Sequence, residues 1–202
     1  MSQTIRSRAH RSAGFTLVEL VAACALAGAL MGIAVPFVAG TRERMRTAAA
    51  ARYVAGRLQL ARMEALKRSA HVAFRVSDAT GEYVYASFVD GNGNGVRTAE
   101  IASGVDPALT SSGRLGDEFP GVRFGCVDGV PSIDGGEAIT GSDPVRVGTS
   151  GLVSFSAIGG ATSGTLYVRG PGPWQFAVRI TGATGRVRVL EFEAASRQWV
   201  SR

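Results

Sequence analysis

The residues best suited to chemistry are few in this chain and far apart. Its two histidines and two cysteines are fewer than the roughly four ligands that a Cys/His zinc site needs. Cys24 lies in an apolar run and Cys126 lies about a hundred residues later, which argues against an internal disulfide framework. His10 lies near the amino terminus and His71 at the start of an alternating segment, so no nucleophile–histidine–carboxylate arrangement emerges. We expect neither enzymatic activity nor a bound metal or cofactor.

An oxygen-rich loop is the strongest candidate for a cation site. The run Asp-Gly-Asn-Gly-Asn-Gly begins at Asp90 and resembles the first half of an EF-hand loop, with oxygen ligands at Asp90, Asn92 and Asn94. The twelfth position of such a loop is a glutamate, but here it is Ile101, and Glu100 comes one residue too early. No helix is evident on either side. We therefore favour a Gly/Asn turn between strands over a calcium site.

Two arginines near the carboxyl terminus form a candidate anion site. In the segment 184–189 the residues alternate, which places Arg186 and Arg188 on one face of a strand and the valines on the other. Guanidinium groups bind phosphates well because their fork of N–H donors matches the phosphate oxygens. The pair is either a solvated strand face or a phosphate-binding site. Arg169, Arg179 and Arg197 would support the second interpretation if they lie nearby.

Glu19 is the only charged residue between Phe15 and Ala39. As a helix, this segment would be about 38 Å long, enough to span a bilayer core of about 30 Å. A carboxylate inside a membrane helix costs about 2.5–3.5 kcal/mol on the insertion scale. Either Glu19 reaches the interface near the helix end, or it pairs with a cation. A cut after Gly14 would create that cation, the α-amine of Phe15, about one helical turn away.

The charges divide the chain into regions of opposite sign. Three arginines and no acid precede residue 15, and eight cations face two acids between residues 41 and 69. Residues 70–168 carry five cations and eleven acids, whereas six cations and two acids follow. The net charge is +6, but the acidic middle is unlike a general nucleic-acid-binding surface.

The elements that position these residues follow from hydrophobic periodicity. After Pro36, the residues Val54, Leu58, Ala61 and Ala65 repeat at helical spacing, which predicts one apolar stripe that faces a sheet or partner helices. The arginines on the other faces of this helix are more typical of a solvated face than of a nucleic-acid track; they are Arg52, Arg57, Arg62 and Arg68.

The remainder of the chain changes to a period of two. Residues 71–76 and 83–89 alternate around Thr80-Gly81, which predicts a hairpin. Gly-rich turns separate further predicted strands at 122–127, 145–147, 151–156, 165–169, 174–181 and 186–192. Residues 103–119 lack a period and predict a long loop. The predicted fold class is α+β, with a long N-terminal α-helix packed on a mainly antiparallel β-sheet domain.

The amino-terminal residues carry a resemblance to a known family. The sequence from Gly14 to Leu20, after a short basic leader and before an apolar helix, resembles the class III signal of type IV pilins and pseudopilins. The resemblance implies that a prepilin peptidase cuts after Gly14 and methylates the new N-terminal Phe15. It also implies that Glu19 docks the subunit onto a growing filament through its neighbour's amino terminus. Pro36 matches a proline of the family at which the helix is expected to break or loosen.

The stem carries a second match. The segment 60–68 resembles the stem end of the GspH/FimT branch of pseudopilins, and the two resemblances together cover residues 1–70. They imply a cytoplasmic leader at 1–14, a transmembrane or filament-core helix at 15–39, a periplasmic amphipathic helix at 40–70 and a periplasmic β domain at 71–202.

The function implied is that of a minor pseudopilin of a type II secretion system. Such a chain is single-pass in the bacterial inner membrane, with its carboxyl-terminal domain in the periplasm, until it assembles into a pseudopilus or pilus. The implied partners are the prepilin peptidase, other pseudopilins or minor pilins contacted through the N-terminal helix, and secreted cargo.

Two alternatives stay open. The segment Gly185-Arg186-Val187-Arg188 resembles a motif of FimT-type minor pilins, which bind DNA during natural transformation. The segment from Val21 to Cys24 resembles a lipoprotein box, which would place a lipid on Cys24. Two observations oppose the lipoprotein: Glu19 would lie inside its apolar segment, and the apolar run continues past Cys24.

Overall fold

The computed structural model describes residues 16–135 and 143–202, and for residues 33–39 it describes the backbone alone. The chain divides into two compact units, Met1–Thr41 and Arg42–Arg202. Every buried hydrophobic residue among the described ones lies in the second unit, from Ala48 onward. We therefore expect a fragment from Arg42 to Arg202 to fold on its own.

The described residues form an α+β fold, as predicted, with one long helix before a series of strands. In chain order the elements are α1 (Leu17–Arg68), β1 (Val72–Ala79), β2 (Glu82–Val89), α2 (Thr98–Ser103), β3 (Gly113–Arg114), α3 (Leu115–Glu118), β4 (Arg123–Phe124), β5 (Val145–Val147), β6 (Leu152–Phe155), β7 (Gly164–Arg169), β8 (Gln175–Thr181), β9 (Arg186–Glu193) and β10 (Gln198–Ser201).

The helix α1 is continuous through Pro36. An interior proline removes one backbone hydrogen bond, and the adjacent turns can hold the helix together around it. The helix therefore does not end at this residue, and a local loosening there stays a prediction. Among the residues that the structure describes, we find no helix with the length and hydropathy of a membrane span. The transmembrane segment at 15–39 likewise stays a prediction.

Two antiparallel sheets make up the β part of the second unit. The first has the strand order β3-β2-β1-β6, and the second has the order β10-β9-β8-β7-β4, with β5 also paired to β7. The predicted hairpin is confirmed by the pairing of β1 with β2. Its two-residue turn has positive φ angles at both Thr80 and Gly81, and the Asp78 carboxylate accepts a hydrogen bond from the Gly81 N–H at 2.7 Å. Turns of this type match the right-handed twist of the strands.

The stem of α1 packs on these sheets through the predicted stripe. Val54, Leu58, Ala61 and Ala65 are all buried, in one cluster with the inward side chains of both sheets. Most of the buried helix residues are alanines, which let the helix approach the strands closely. The loop after β7 comes equally close, because a side chain at Gly170 would collide with Thr47 on the helix.

An ion-pair cluster fixes the beginning of the stem to the second sheet. Glu191 of β9 lies on the inward face, and only 7% of its side chain is exposed. Arg44 of α1 donates to both carboxylate oxygens, with hydrogen bonds of 2.5 and 2.8 Å, and Arg202 donates a third at 2.7 Å. The Arg44 hydrogen bonds hold the pKa of the Glu191 carboxyl below its ordinary value, and they outweigh the opposing effect of burial.

A second, smaller cluster lies on the outer face of the second sheet. Tyr167 and Ala177 are buried there beneath the segment that runs from Cys126 to Ile133, beside Phe192 and Trp199. The indole N–H of Trp199 donates to the carbonyl of Pro131 at 3.0 Å. The strand β10, which carries Trp199, was not predicted.

Other predictions of local structure were wrong in part. The predicted loop at 103–119 contains β3 and α3, and α2 follows the oxygen-rich loop although no helix was expected there. These elements have two to six residues, so none is long enough to show a hydrophobic period. Six strands predicted in the second half occur, with the one expected at 122–127 reduced to Arg123–Phe124.

Replacement of Leu58 by alanine tests the packing of the stem. We expect Leu58→Ala to lower the free energy of unfolding by about 2–5 kcal/mol, because it opens a cavity in a fully buried position. The matched control is Leu60→Ala, since this leucine lies on the exposed side of the same helix and should change stability by about 0.5 kcal/mol or less. Urea unfolding of the Arg42–Arg202 fragment measures both. Equal effects would show that the stripe is not the packed face.

The carboxylate of Glu191 should make the stability of this fragment depend on pH. Because its pKa is lower in the folded state than in the unfolded state, its contribution is present at neutral pH and is lost as the pH falls through the folded-state pKa. We expect Glu191→Gln to destabilise the fragment at pH 7 and to reduce the loss of stability on acidification. The control is Glu193→Gln, an exposed glutamate on the same strand and face. Urea unfolding at pH 7 and pH 4 measures both variants. If their free energies of unfolding change alike, Glu191 does not have this role.

Candidate assembly and nucleic-acid interfaces

The first turn of α1 is closed by Thr16 and Glu19. The backbone N–H and the hydroxyl of Thr16 both donate to Oε2 of Glu19 at 2.9 Å, and the N–H of Glu19 donates to the Thr16 hydroxyl at 3.2 Å. This reciprocal arrangement is a capping box, which satisfies backbone donors that the helix leaves without partners. The Thr-x-x-Glu spacing is typical of this motif, so the cap could have been predicted from the sequence alongside the charge pair. No hydrogen bond to the other oxygen of Glu19, Oε1, occurs among the described residues.

The first part of α1 exposes apolar side chains on every side. Leu17 and Val18 are 78% and 74% exposed, and the same holds along the next turns. The other large apolar residues exposed there are Leu20, Val21, Leu26, Leu30 and Met31. A helix that is apolar all round is stable when lipid or other helices surround it. Cys24 lies exposed within this continuous helix. Gly14 and Phe15 lie outside the described residues, so the processing site stays a prediction.

Arg186 and Arg188 lie on the outer face of the second sheet and are exposed, as the alternation predicted. The strand register adds two arginines to them. Arg188 lies opposite Arg179 of β8, Arg179 lies opposite Thr165 of β7, and Thr165 lies opposite Arg146 of β5. Residues directly opposite each other on antiparallel strands share a face. Three arginines therefore form a row across four strands, which we call the basic row, with Arg186 next to it.

One carboxylate interrupts the basic row. Asp134 receives both terminal nitrogens of Arg179, at 2.6 and 2.7 Å, and this contact holds the pKa of the aspartate below its ordinary value. Arg169 does not join the row, because it lies opposite Gln175 at the other end of β7. Arg197 lies in the turn between β9 and β10. Of the three arginines expected to assist the pair, only Arg179 is in register with it, and its charge is compensated.

The oxygen-rich loop is held by its own hydrogen bonds. The Asp90 carboxylate accepts backbone N–H groups from Asn92, Gly93 and Gly95, at 2.7 to 3.1 Å. Burial alone would raise the pKa of Asp90, but these hydrogen bonds outweigh it and lower that pKa. The side-chain amides of Asn92 and Asn94 donate to Glu100. Among the described residues no group of three or more His, Cys, Asp or Glu side chains could hold a metal ion. The loop is thus organised as a hydrogen-bonded turn.

Cys126 is enclosed in the outer-face cluster. Burial raises the pKa of its thiol to about 12, far from the range in which a thiolate forms at neutral pH. Both cysteines are free. The chain therefore offers no activated nucleophile at this position.

Comparisons with known proteins agree with the amino-terminal and stem features. Residues 9–35 match the family described as a prokaryotic N-terminal methylation motif, and residues 50–185 match the family described as type II transport protein GspH. Pilin-like protein PilA1 of Thermus thermophilus is 37% identical over 82 residues, which cover 40% of this chain and 50% of that protein. The matched region thus spans about half the length of this curated relative. No solved structure matches the chain.

The GspH match covers more than half of the chain and includes the buried stripe and the strands from β1 to β8. The methylation motif covers the predicted cut site and most of the apolar part of α1. Members of this family are structural, pilin-like subunits and not enzymes. The chain belongs to the GspH family of pilin-like proteins and carries the N-terminal methylation motif of that class.

Proposed function

We propose that this protein is a minor pseudopilin of a type II secretion system. A prepilin peptidase cuts it after Gly14 and methylates Phe15. The mature chain then leaves the inner membrane and enters a periplasmic pseudopilus, where its function is assembly and not chemistry. Its partners in this proposal are the peptidase, the other pseudopilins and secreted cargo.

The exposed apolar surface of α1 is the observation that carries the proposal. Leu17, Val18 and the following apolar residues have no cover from the described part of the chain. Burying a leucine or valine side chain contributes about 1.5–3 kcal/mol, so a helix with many such residues needs either lipid or a helix bundle around it. Transfer of the helix from lipid into a helix bundle would keep these side chains away from water throughout assembly.

In this proposal the two carboxylate oxygens of Glu19 have different roles, one in capping the helix and one in binding a cation. Oε2 caps the helix through Thr16, and Oε1 has no hydrogen-bond donor among the described residues. The methylated amine of a neighbouring Phe15 is a cation that Oε1 can bind in the filament. Such a pair would neutralise a carboxylate that is costly in lipid, and it would favour the assembled state over the membrane state.

Substitution of Glu19 separates the two tasks. We expect Glu19→Ala to be cut and methylated normally but to enter pseudopili at a level reduced by at least about tenfold, because it loses both the cap and the charge. Glu19→Gln keeps a capping side chain and loses only the charge. Mass spectrometry of the mature amino terminus measures processing, and quantification of the chain in sheared pseudopili measures incorporation.

The glutamine variant decides which task matters for assembly. Loss of incorporation in both variants is the result that charge pairing predicts. Full incorporation of Glu19→Gln would reduce Glu19 to a helix cap, and full incorporation of Glu19→Ala would refute the pairing altogether.

A second candidate function is DNA binding by a minor type IV pilin, as in natural transformation. The observation in its favour is the in-register alignment of Arg188 with Arg179 and Arg146, next to Arg186, on one exposed face. Phosphates repeat along a nucleic-acid strand, so a row of guanidinium groups can contact several of them. The charge of Asp134 and the acidic middle region act against this function.

Salt titration distinguishes the two functions. If the basic row binds DNA, the Arg42–Arg202 fragment should bind with micromolar or tighter affinity that falls as salt rises. Arg186→Ala/Arg188→Ala should then weaken binding and reduce the slope of log K against log salt by about 2, since each phosphate contact contributes about 0.9 for duplex DNA. Arg52→Ala/Arg97→Ala removes the same charge from exposed positions on other elements and serves as the control. Absence of binding at low salt would leave the row as a solvated face.

A further inference from the structure

A groove lies between the open edges of the two sheets in the Arg42–Arg202 unit. Its volume is about 710 Å³, within the range of clefts that bind small molecules. One wall consists of Glu82 and Tyr83 of β2 with Arg114 of β3, and the other consists of residues 121–126 around β4. Arg169 of β7 lines the same space. We call this space the edge groove.

The outermost strands of the two sheets on this side, β3 and β4, lie in these two walls. Among the described residues, β3 pairs only with β2, and β4 pairs only with β7. The N–H of Gly125 donates to the carbonyl of Tyr167 in β7. Since successive residues of a strand direct their backbone groups to opposite sides, those of Phe124 point to the open edge. An extended peptide can add to such an edge through main-chain hydrogen bonds.

Two arginines lie side by side over this edge. Arg123 of β4 is directly opposite Arg169 of β7, so both share the outer face. A Cβ atom built on Gly125 would lie 2.9 Å from Cδ of Arg169 and 3.8 Å from Cγ of Arg123, which shows that both stems cross above this glycine. Like charges directly opposite each other destabilise a strand pair. Arg169 donates one hydrogen bond, to the Cys126 carbonyl, but no carboxylate contacts either guanidinium within the described ranges.

The wall beneath these arginines is fixed by a buried amide. Gln175 is 1% exposed, and its side chain accepts the N–H of Val127 at 2.7 Å and donates to the carbonyl of Gly125 at 3.2 Å. The same amide also donates to the carbonyls of Val168 and Phe176 within the sheet. The segment from Gly125 to Val127 is therefore held in place before any ligand arrives, which lowers the entropic cost of binding.

We propose that the edge groove binds an extended peptide segment of another protein, with a carboxylate of that segment held between Arg123 and Arg169. The backbone of the peptide would run along the open edge at Phe124. Guanidinium groups favour carboxylates because their paired N–H donors match the two oxygens. A nucleic acid fits this groove less well, since Glu82 and Asp117 line it too and would repel a continuous row of phosphates. The edge groove lies entirely within the unit Arg42–Arg202, so its binding of a peptide is independent of the function proposed above.

Titration with a matched pair of peptides tests the proposal. The probe is an N-acetylated hexapeptide of alternating threonine and valine that ends in glutamate with a free carboxyl terminus. Its control has the same sequence with a terminal glutamine amide. Amide chemical shifts of the Arg42–Arg202 fragment are followed by NMR up to millimolar peptide. We expect saturable shifts confined to β3, β4 and the start of β2 with the acidic peptide, and much smaller shifts with the control.

Two variants of equal charge change locate the site. Arg123→Gln should weaken binding by at least about tenfold, because it removes one partner of a charged hydrogen-bonded pair. Arg52→Gln, at an exposed position of α1, should bind like the parent chain, and the spectra themselves report whether each variant is folded. The proposal would be overturned if both peptides bind equally, or if both variants have the same affinity for the acidic peptide. It would also be overturned if the shifts centre on β9, or if no shift occurs at millimolar peptide. Displacement of the peptide by a short single-stranded oligonucleotide would assign the groove to polyanions and overturn it as well.

Discussion

The close approach between the stem of α1 and the two sheets is the contact on which the second unit depends. The small side chains of Ala51, Ala61 and Ala65 let the helix pack close to the sheets, and Gly170 lets a loop reach Thr47. The same approach brings Arg44 onto Glu191, a carboxylate that would otherwise be buried on an inward strand face without this cation. Dispersion contacts and the ion pair thus stabilise one arrangement. Larger side chains on the buried stripe of α1 would move the helix away from the sheets, and this would break the dispersion contacts and the ion pair together.

Because the inward faces of the sheets are used for this core, their outer faces and edges are the surfaces that remain for contacts with other molecules. The register of the strands places aromatic and basic side chains in separate regions of the outer face of the second sheet. The aromatic cluster around Tyr167 is covered by the chain from Cys126 to Ile133, whereas Arg146 and Arg188 of the basic row are exposed. The pair Arg123 and Arg169 lies at the edge nearest β4. Along β7 the basic row at Thr165 and the pair at Arg169 are four residues apart, which corresponds to about 13 Å.

Hydrophobic period explains which parts could be predicted from the sequence. The stripe from Val54 to Ala65 and the alternating strands have enough residues for a period to appear, and all of them occur. The two-residue strand β3 carries no period and was not predicted, whereas β4 was predicted as the longer strand 122–127, so only part of the edge groove could be predicted. Alternation placed Arg186 and Arg188 on one face, but the row formed with Arg179 and Arg146 depends on strand register, which one sequence does not specify. Gln175 and Glu191 were missed for the same reason, since their partners are distant in sequence.

The clusters of arginine in the folded unit differ in whether a carboxylate of the described residues contacts them. Arg179 lies directly opposite Arg188 on the neighbouring strand, and Asp134 forms an ion pair with Arg179. Arg44 and Arg202 converge as well, but on Glu191 between them. In each of these two clusters a carboxylate of the folded unit contacts at least one of the arginines. The pair at Gly125 has no such carboxylate among the described residues, although Gln175 holds its supporting backbone rigidly. A fixed scaffold under uncompensated like charges costs stability in the free protein, and an external carboxylate is the group whose arrival removes that cost.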